Sequence, residues 1–294
     1  MTGTAARGAE PGVTAAKVPI SIVIDDLGDR LQEGEAVVAL PAAIGCAFLP
    51  ESPHTRHLAT LAHRGGKEIM LHLPMEPVGG HGHPLAISSQ LPVANRTSQL
   101  ERYLASVPYV SGVNNHQGSL TTSSRSTMHW LMRELSARGI RFFVDSMTSG
   151  SSVAYPMARA YGIPATRRKV FLDHERGVEI SRGQFMKLVR MAHQTGGALA
   201  IGHPYPETLQ VLREMLPRLS SLGVELVAPS QLIRRTEQRL LVQPVNLRMA
   251  TALVRPAAAA AQPTPLPEAP PAAQPASQPA ASIVPVALSA STAN

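Results

Sequence analysis

The chain runs to 294 residues, 44% of them hydrophobic, which is enough for one folded domain with a substantial core, and its formal net charge is +7. The charge comes largely from arginines spread along the chain without a basic run of five or six, and only 4% of residues are aromatic, which argues against nucleic acid as a partner. Cys46 is the only cysteine, so an internal disulfide and a cysteine-based metal cluster are both excluded.

Residues 1–17 are small and Gly-rich and read as a disordered N-terminal segment, followed by a folded domain over 18–240. Residues 241–294 form a Pro/Ala-rich tail containing PTPLPEAPPAAQPASQP, with little bulky apolar surface to bury and many helix breakers, so it is expected to stay extended. No apolar run reaches membrane-spanning length. The first residues lack the charged-then-apolar pattern of a secretory signal, which leaves either a cytoplasmic location or an export sequence outside this chain.

Within the domain, short apolar runs alternate with helix-like stretches, the mark of a mainly parallel β/α arrangement. Strands are expected at 20–25, 44–49, 68–72, 110–114, 141–145, 198–201 and 224–227, with a weaker one within 165–171. Cys46 falls in the apolar run IGCAFL, where a buried, inert thiol is expected. Ser98 with Glu101, and Ser181 with Gln184, match the capping-box spacing of helix starts. Helices over 126–138 and 207–222 end at Gly139 and Gly223, each suited to a left-handed cap before the next strand.

The strand ends carry the chemistry. Asp25 and Asp26 close the first strand, His72 the third and Asp145 the fifth, while Asn114 to His116 follow the fourth and His203 follows the run GALAIG. In a parallel barrel these ends converge on one rim, the C-terminal face, where such folds place their active sites.

Two adjacent carboxylates at the end of a buried strand repel one another unless a cation or a donor lies between them. Successive strand side chains point to different sides, so one of the Asp25–Asp26 pair can bind metal while the other faces the reacting centre. One carboxylate and two histidines make an open zinc site, and His116 is the natural second imidazole beside His72. Its neighbours, Asn115 among them, offer hydrogen bonds that fix its ring. Glu76 stands four residues after His72, in a loop stiffened by Pro74 and Pro77. Asp145 either caps the following turn or contacts a ligand or sugar hydroxyls. His203 is either a packing residue or a general acid near the metal. Arg167 and Arg168, with Asp173 and Glu175, either line a substrate groove or form a solvated ion-pair network, the latter favoured. His81 and His83 lie in a Gly-rich surface loop. A Rossmann fingerprint, a phosphate-binding Gly loop and a G-x-S-x-G elbow are all missing, which argues against nucleotide-cofactor and serine-hydrolase chemistry.

Taken in order, IVIDDLG, MLHLPMEP, GVNNHQGS, FFVDSMTS, SVAYPMARAYGIP leading to VFLD, and AIGHPYPETL resemble the motifs of the divergent polysaccharide deacetylase family, a branch of the NodB-like carbohydrate esterase superfamily. The resemblance covers nearly all of the region from Pro19 to about Leu232. It implies a distorted (β/α) barrel of about seven to eight mainly parallel strands and the removal of acetyl groups from a glycan with a divalent metal, zinc by preference. It also implies a periplasmic or envelope-associated location. It assigns Asp25 as catalytic base, Asp26 and His72 as metal ligands and His203 as general acid. The superfamily's second histidine, four residues after the first, is Glu76 here, so His116 has to complete the ligand set from another strand; Glu76, Asn115, Asp145 and Arg167 are then expected to support the site or touch substrate. The other reading is a glycan-binding or scaffolding protein of the cell envelope without turnover.

Overall fold

A computed structural model of the protein describes residues 16–242; the expectations for the N-terminal segment and the Pro/Ala-rich tail fall, but for their innermost residues, outside that range. Among the described residues, nine strands and eight α-helices follow one another, alternating except at the sixth and seventh strands. The strands are β1 (Val18–Leu27), β2 (Gly45–Phe48), β3 (Ile69–Met75), β4 (Val110–Gln117), β5 (Phe142–Asp145), β6 (Ala165–Arg167), β7 (Val170–Phe171), β8 (Ala198–Gly202) and β9 (Val224–Leu226). The helices are α1 (Leu31–Val38), α2 (Thr55–Arg64), α3 (Val93–Ser106), α4 (Arg125–Ala137), α5 (Ala154–Ala160), α6 (Val178–Thr195), α7 (Pro206–Met215) and α8 (Pro229–Val242).

Every strand pairing is parallel, in the order β6-β5-β4-β3-β2-β1-β8-β7, with β9 beside the start of β1. The two ends of that path, β6 and β7, are joined by only Arg168 and Lys169. A link so short spans at most about 11 Å, so the sheet has to curl until its edges nearly meet. The result is a curled, distorted β/α barrel. The weak strand expected within 165–171 is two short strands, because the chain leaves β5 and joins β8 between them.

Period-two alternation sorts the side chains. Ile20, Ile22 and Ile24 of β1 face the helices, while Val23 joins Ala47, Met70, Phe142, Val144, Leu199 and Ile201 inside the barrel. Leu232 and Ile233 of α8 belong to the same inner cluster. The absence of a side chain at Gly112 makes room for Phe142, whose ring would lie 2.4 Å from an added Cβ. Asp25, His72 and Asn114 continue the inner columns of β1, β3 and β4 upward, so the polar groups sit on an apolar floor.

Gly139 and Gly223 hold φ of 69° and follow α4 and the last turn before β9, as expected. The helix expected over 207–222 is shorter: α7 gives way to a 3-10 turn at Leu216–Arg218, where Pro217 cannot continue an α-helix. Neither capping box forms. Ser98 lies inside α3, which starts after Pro92, and Ser181 lies inside α6, which starts after Gly177. The Ser-x-x-Glu spacing recurs by chance inside helices, and both helices begin upstream of it, at Val93 and Val178. Cys46 is fully buried, and burial pushes its thiol up to about 12. Among the described residues no helix is long and apolar enough to cross a membrane.

Candidate metal and active site

Asp25 and Asp26 do not follow strand alternation. The pairing of β1 with β2 slips between Ile24 and Leu27, and Asp26 takes φ of 56°, a left-handed conformation uncommon outside glycine. This kink turns Asp26 toward the same centre as Asp25: Nε2 of His72 lies 3.1 Å from Asp26 Oδ1 and 3.6 Å from Asp25 Oδ2. Such strained backbone is commonest at functional sites.

His116 reaches the same point from β4. Its Nδ1 is 2.9 Å from Asp26 Oδ1 and 3.1 Å from His72 Nε2. Pairing with β3 extends along β4 as far as Gln117, beyond the end expected at 114, and puts His72 beside Asn114 and Pro74 beside His116. The carbonyl oxygen of Asn114 accepts from His72 Nδ1 at 2.9 Å, so in the neutral ring Nε2 presents a lone pair to the Asp26 carboxylate. Facing lone pairs at such distances need a proton or a cation between them. A cation with bonds of about 2.1 Å sets neighbouring donors about 3.0 Å apart when octahedral and about 3.4 Å when tetrahedral. The observed triangle of 2.9, 3.1 and 3.1 Å fits a shared divalent ion. Two imidazoles and one carboxylate suit several first-row divalent ions.

Asp25 is 3% exposed, and burial raises its carboxyl above the usual range, against the pull of His72 and His203. Burial would raise Asp26 as well, but hydrogen bonds to His116 and His72 hold it well below that range. Burial would lower His72; the charges of Asp25 and Asp26 instead push it up to about 9. His203 is fixed by Asp173, whose Oδ1 accepts from Nδ1 at 3.0 Å and whose Oδ2 accepts from the His203 backbone N–H at 2.7 Å. Its Nε2 then faces Asp26 Oδ2 at 3.5 Å. Burial lowers the imidazole's basicity, and Asp173 more than restores it, leaving the pKa raised.

The remaining expected residues lie around this centre rather than in it. Glu76 Oε2 accepts from Ser88 Oγ at 2.9 Å and from the Ser89 backbone at 3.2 Å, holding a neighbouring loop. The amide of Asn115 accepts from Ser146 N–H at 2.9 Å and donates to the Gln117 carbonyl at 2.8 Å. It is Asn114, one residue earlier, that touches the candidate ligand His72 and Asp25. Asp145 caps the following turn, accepting from the Met147 N–H at 2.9 Å and from Ser152 Oγ at 2.8 Å. Arg167 lies on the ring of Tyr155, 4.4 Å from its centroid, and is not brought to the centre. Its neighbour Arg168 is.

Two signals escaped the sequence reading. Asp173 was grouped with solvated ion pairs, but it is buried and orients His203. His83, set aside in a Gly-rich loop, has its backbone N–H on Gln117 Oε1 at 3.1 Å and its ring 5.5 Å from that of His116. A recess of about 200 Å³ lies beside the triad, walled by Asp25, His116, Arg168, Phe171 and Ile201. A wider cleft of about 390 Å³ borders Asp26 and His203 and is flanked by Arg30, Arg176 and Tyr205. The centre therefore borders two recesses, a smaller, mainly apolar one and a larger one with a polar lining.

Comparison with known proteins bears on the family and the fold. Residues 22–233 match the family model described as divergent polysaccharide deacetylase. The uncharacterised protein YibQ of Escherichia coli K12 is 37% identical over 231 residues, 77% of this chain and 71% of that protein. An uncharacterised Haemophilus influenzae protein is 34% identical over 74% of this chain and 78% of its own. The crystal structure of an uncharacterised Agrobacterium tumefaciens protein shares the fold, with a TM-score of 0.71 and 24% identity over 76% of this chain and 92% of that one.

Proposed function

The chain belongs to the divergent polysaccharide deacetylase family, and on that premise we propose that it is a metal-dependent hydrolase that removes acetyl groups from a glycan, acting at the cell envelope. The observation that carries the reading is the triangle of Asp26, His72 and His116 with Asp25 and His203 on either side. Those three residues would hold the cation. When bound, a zinc-like ion supplies Lewis acidity, polarising an acyl carbonyl and making water easier to deprotonate.

The chain's own groups divide the proton work. Asp25, lifted by burial yet held by Asn114, takes the proton from the attacking water as base. His203 keeps one proton on Nδ1 toward Asp173 and gives the one on Nε2 to the departing nitrogen or oxygen. Both groups have raised pKa values, which makes Asp25 a stronger base and keeps His203 protonated as an acid. The larger recess beside Tyr205 leaves room for a sugar chain.

The reading without turnover drew on the missing histidine at position 76. That His116 offers an imidazole to the same centre from β4 supports the hydrolase reading. The test is acetate release from N-acetylglucosamine oligomers and peptidoglycan fragments with zinc supplied. His72→Ala should lower the rate about a thousandfold, several kcal/mol of lost transition-state stabilisation. Equal rates in wild type and variant across such substrates would end the proposal.

A further inference from the structure

Arg168 stands in the two-residue link between β6 and β7 and forms part of the wall of the small chamber. Its guanidinium carbon lies 4.6 Å from the centroid of the Phe171 ring. Nε donates to the Ser146 carbonyl at 2.6 Å and Nη2 to the Met147 carbonyl at 2.9 Å. Both acceptors are neutral, and a guanidinium has five N–H donors. Other partly buried arginines meet carboxylates directly: Arg138 pairs with Glu134 and Glu101, and Arg182 with Glu214. Arg168 makes no such pair among the described residues; Asp25 and Asp145 favour its charge only from beyond pairing distance, against the cost of burial. None of its nitrogens is both sealed from solvent and unpartnered, as Arg167 Nε is, so Nη1, which makes no hydrogen bond among the described residues, keeps access to solvent, and the residue lines the chamber.

A half-buried cation, clamped by two carbonyls and stacked on an aromatic ring, has a fixed direction and an unmatched charge. Taking charge out of water is costly unless a counter-charge arrives. The fork of a guanidinium matches a carboxylate geometrically as well as electrically. Ser146 and Thr148, which line the same chamber, add hydroxyls. We propose that Arg168 is a specificity residue that binds a carboxylate carried by the glycan next to the acetylated position, so that the preferred substrate is an acidic rather than a neutral acetylated sugar. The inference rests on the deacetylase reading for its choice of ligand.

The experiment compares binding of two probes to the full chain supplied with zinc, by calorimetry. One probe is the neutral disaccharide of N-acetylglucosamine; the other joins N-acetylglucosamine to N-acetylmuramic acid, whose lactyl group bears a carboxylate. The acidic probe should bind about tenfold tighter or better, the size of one charge-assisted pair. Arg168→Gln should close that gap, and Arg168→Lys should keep part of it. In the wild type, added salt should weaken the acidic probe and leave the neutral one unchanged, a reading that stands if either variant fails to fold. Equal affinities, no binding of either probe, a salt-insensitive preference or a gap that survives Arg168→Gln would overturn the proposal. Acetate release measured in parallel bears on the deacetylase reading alone: a carboxylate preference without turnover refutes hydrolysis and keeps the assignment of Arg168.

Discussion

His72 donates its Nδ1 proton to the side-chain oxygen of Asn114 across 2.9 Å. The nitrogen of the same amide donates to Asp25 Oδ1 at 2.8 Å and lies 3.4 Å from Ser146 Oγ. One fully buried carboxamide therefore sets the tautomer of a candidate ligand and the direction of the candidate base together. Such outer contacts tune metal sites as firmly as the ligands themselves.

Asn114→Ala should weaken zinc binding by about 10–100-fold, the usual cost of losing a ligand's supporting hydrogen bond. It should also lower kcat with the site saturated in metal, because Asp25 loses its fixed direction. Competition against a chromophoric chelator gives the first quantity and steady-state kinetics at high zinc the second. An unchanged affinity would show that the Asn114 contact does not hold His72 in its ligating form.

Asp173 and His203 make the pH dependence specific. Burial works against the imidazolium of His203, and the hydrogen bond and charge of Asp173 raise it again. A general acid is active only while protonated, so the alkaline limb of kcat against pH follows the pKa of His203. Asp173→Asn removes the stabilising charge, the pKa falls, and the alkaline limb should move to lower pH with a reduced plateau. Asp25, raised by burial, sets the acidic limb, which should stay in place in this variant. Full pH–rate profiles of both proteins decide it; an alkaline limb that stays put or moves upward would remove His203 from the role of acid.

The strand ends were legible because most follow a short apolar run, and a parallel arrangement sends every such end to one rim. Hence Asp25, Asp26, His72, His116 and His203 could be named from the sequence, and the structure brings them together. Choosing between adjacent residues was harder, since it turns on the phase of one strand against its neighbour. Asn114 rather than Asn115 faces His72 because β4 pairs in register with β3 as far as Gln117. Arg168 rather than Arg167 reaches the chamber because the chain leaves β6 there to cross the barrel's open seam. Asp173 closes the short run VFLD, but β7 has only two residues and pairs with β8, distant in sequence, so its contact with His203 could not be read from its own segment. The shared orientation of Asp25 and Asp26 was equally hidden, since it depends on the backbone kink at Asp26.

Asp145 separates a structural from a chemical role within the same rim. It is fully buried, and its two oxygens accept from the Met147 N–H, the Ser152 hydroxyl and, at 3.4 Å, the Tyr155 N–H. Those donors belong to the turn and first helical residues after β5, and none contacts the candidate ligands. Asp145→Ala leaves them without an acceptor, a loss of about 2–4 kcal/mol when buried donors go unmatched. For a domain of this size that corresponds to a fall in Tm of roughly 5–10 °C. Zinc stoichiometry should survive at temperatures where the variant is folded, because Asp26, His72 and His116 draw on β1, β3 and β4 alone. Thermal melts and metal analysis of the same preparations separate the two possibilities: loss of zinc without loss of stability would mean that Asp145 acts on the metal centre and that its turn needs no cap.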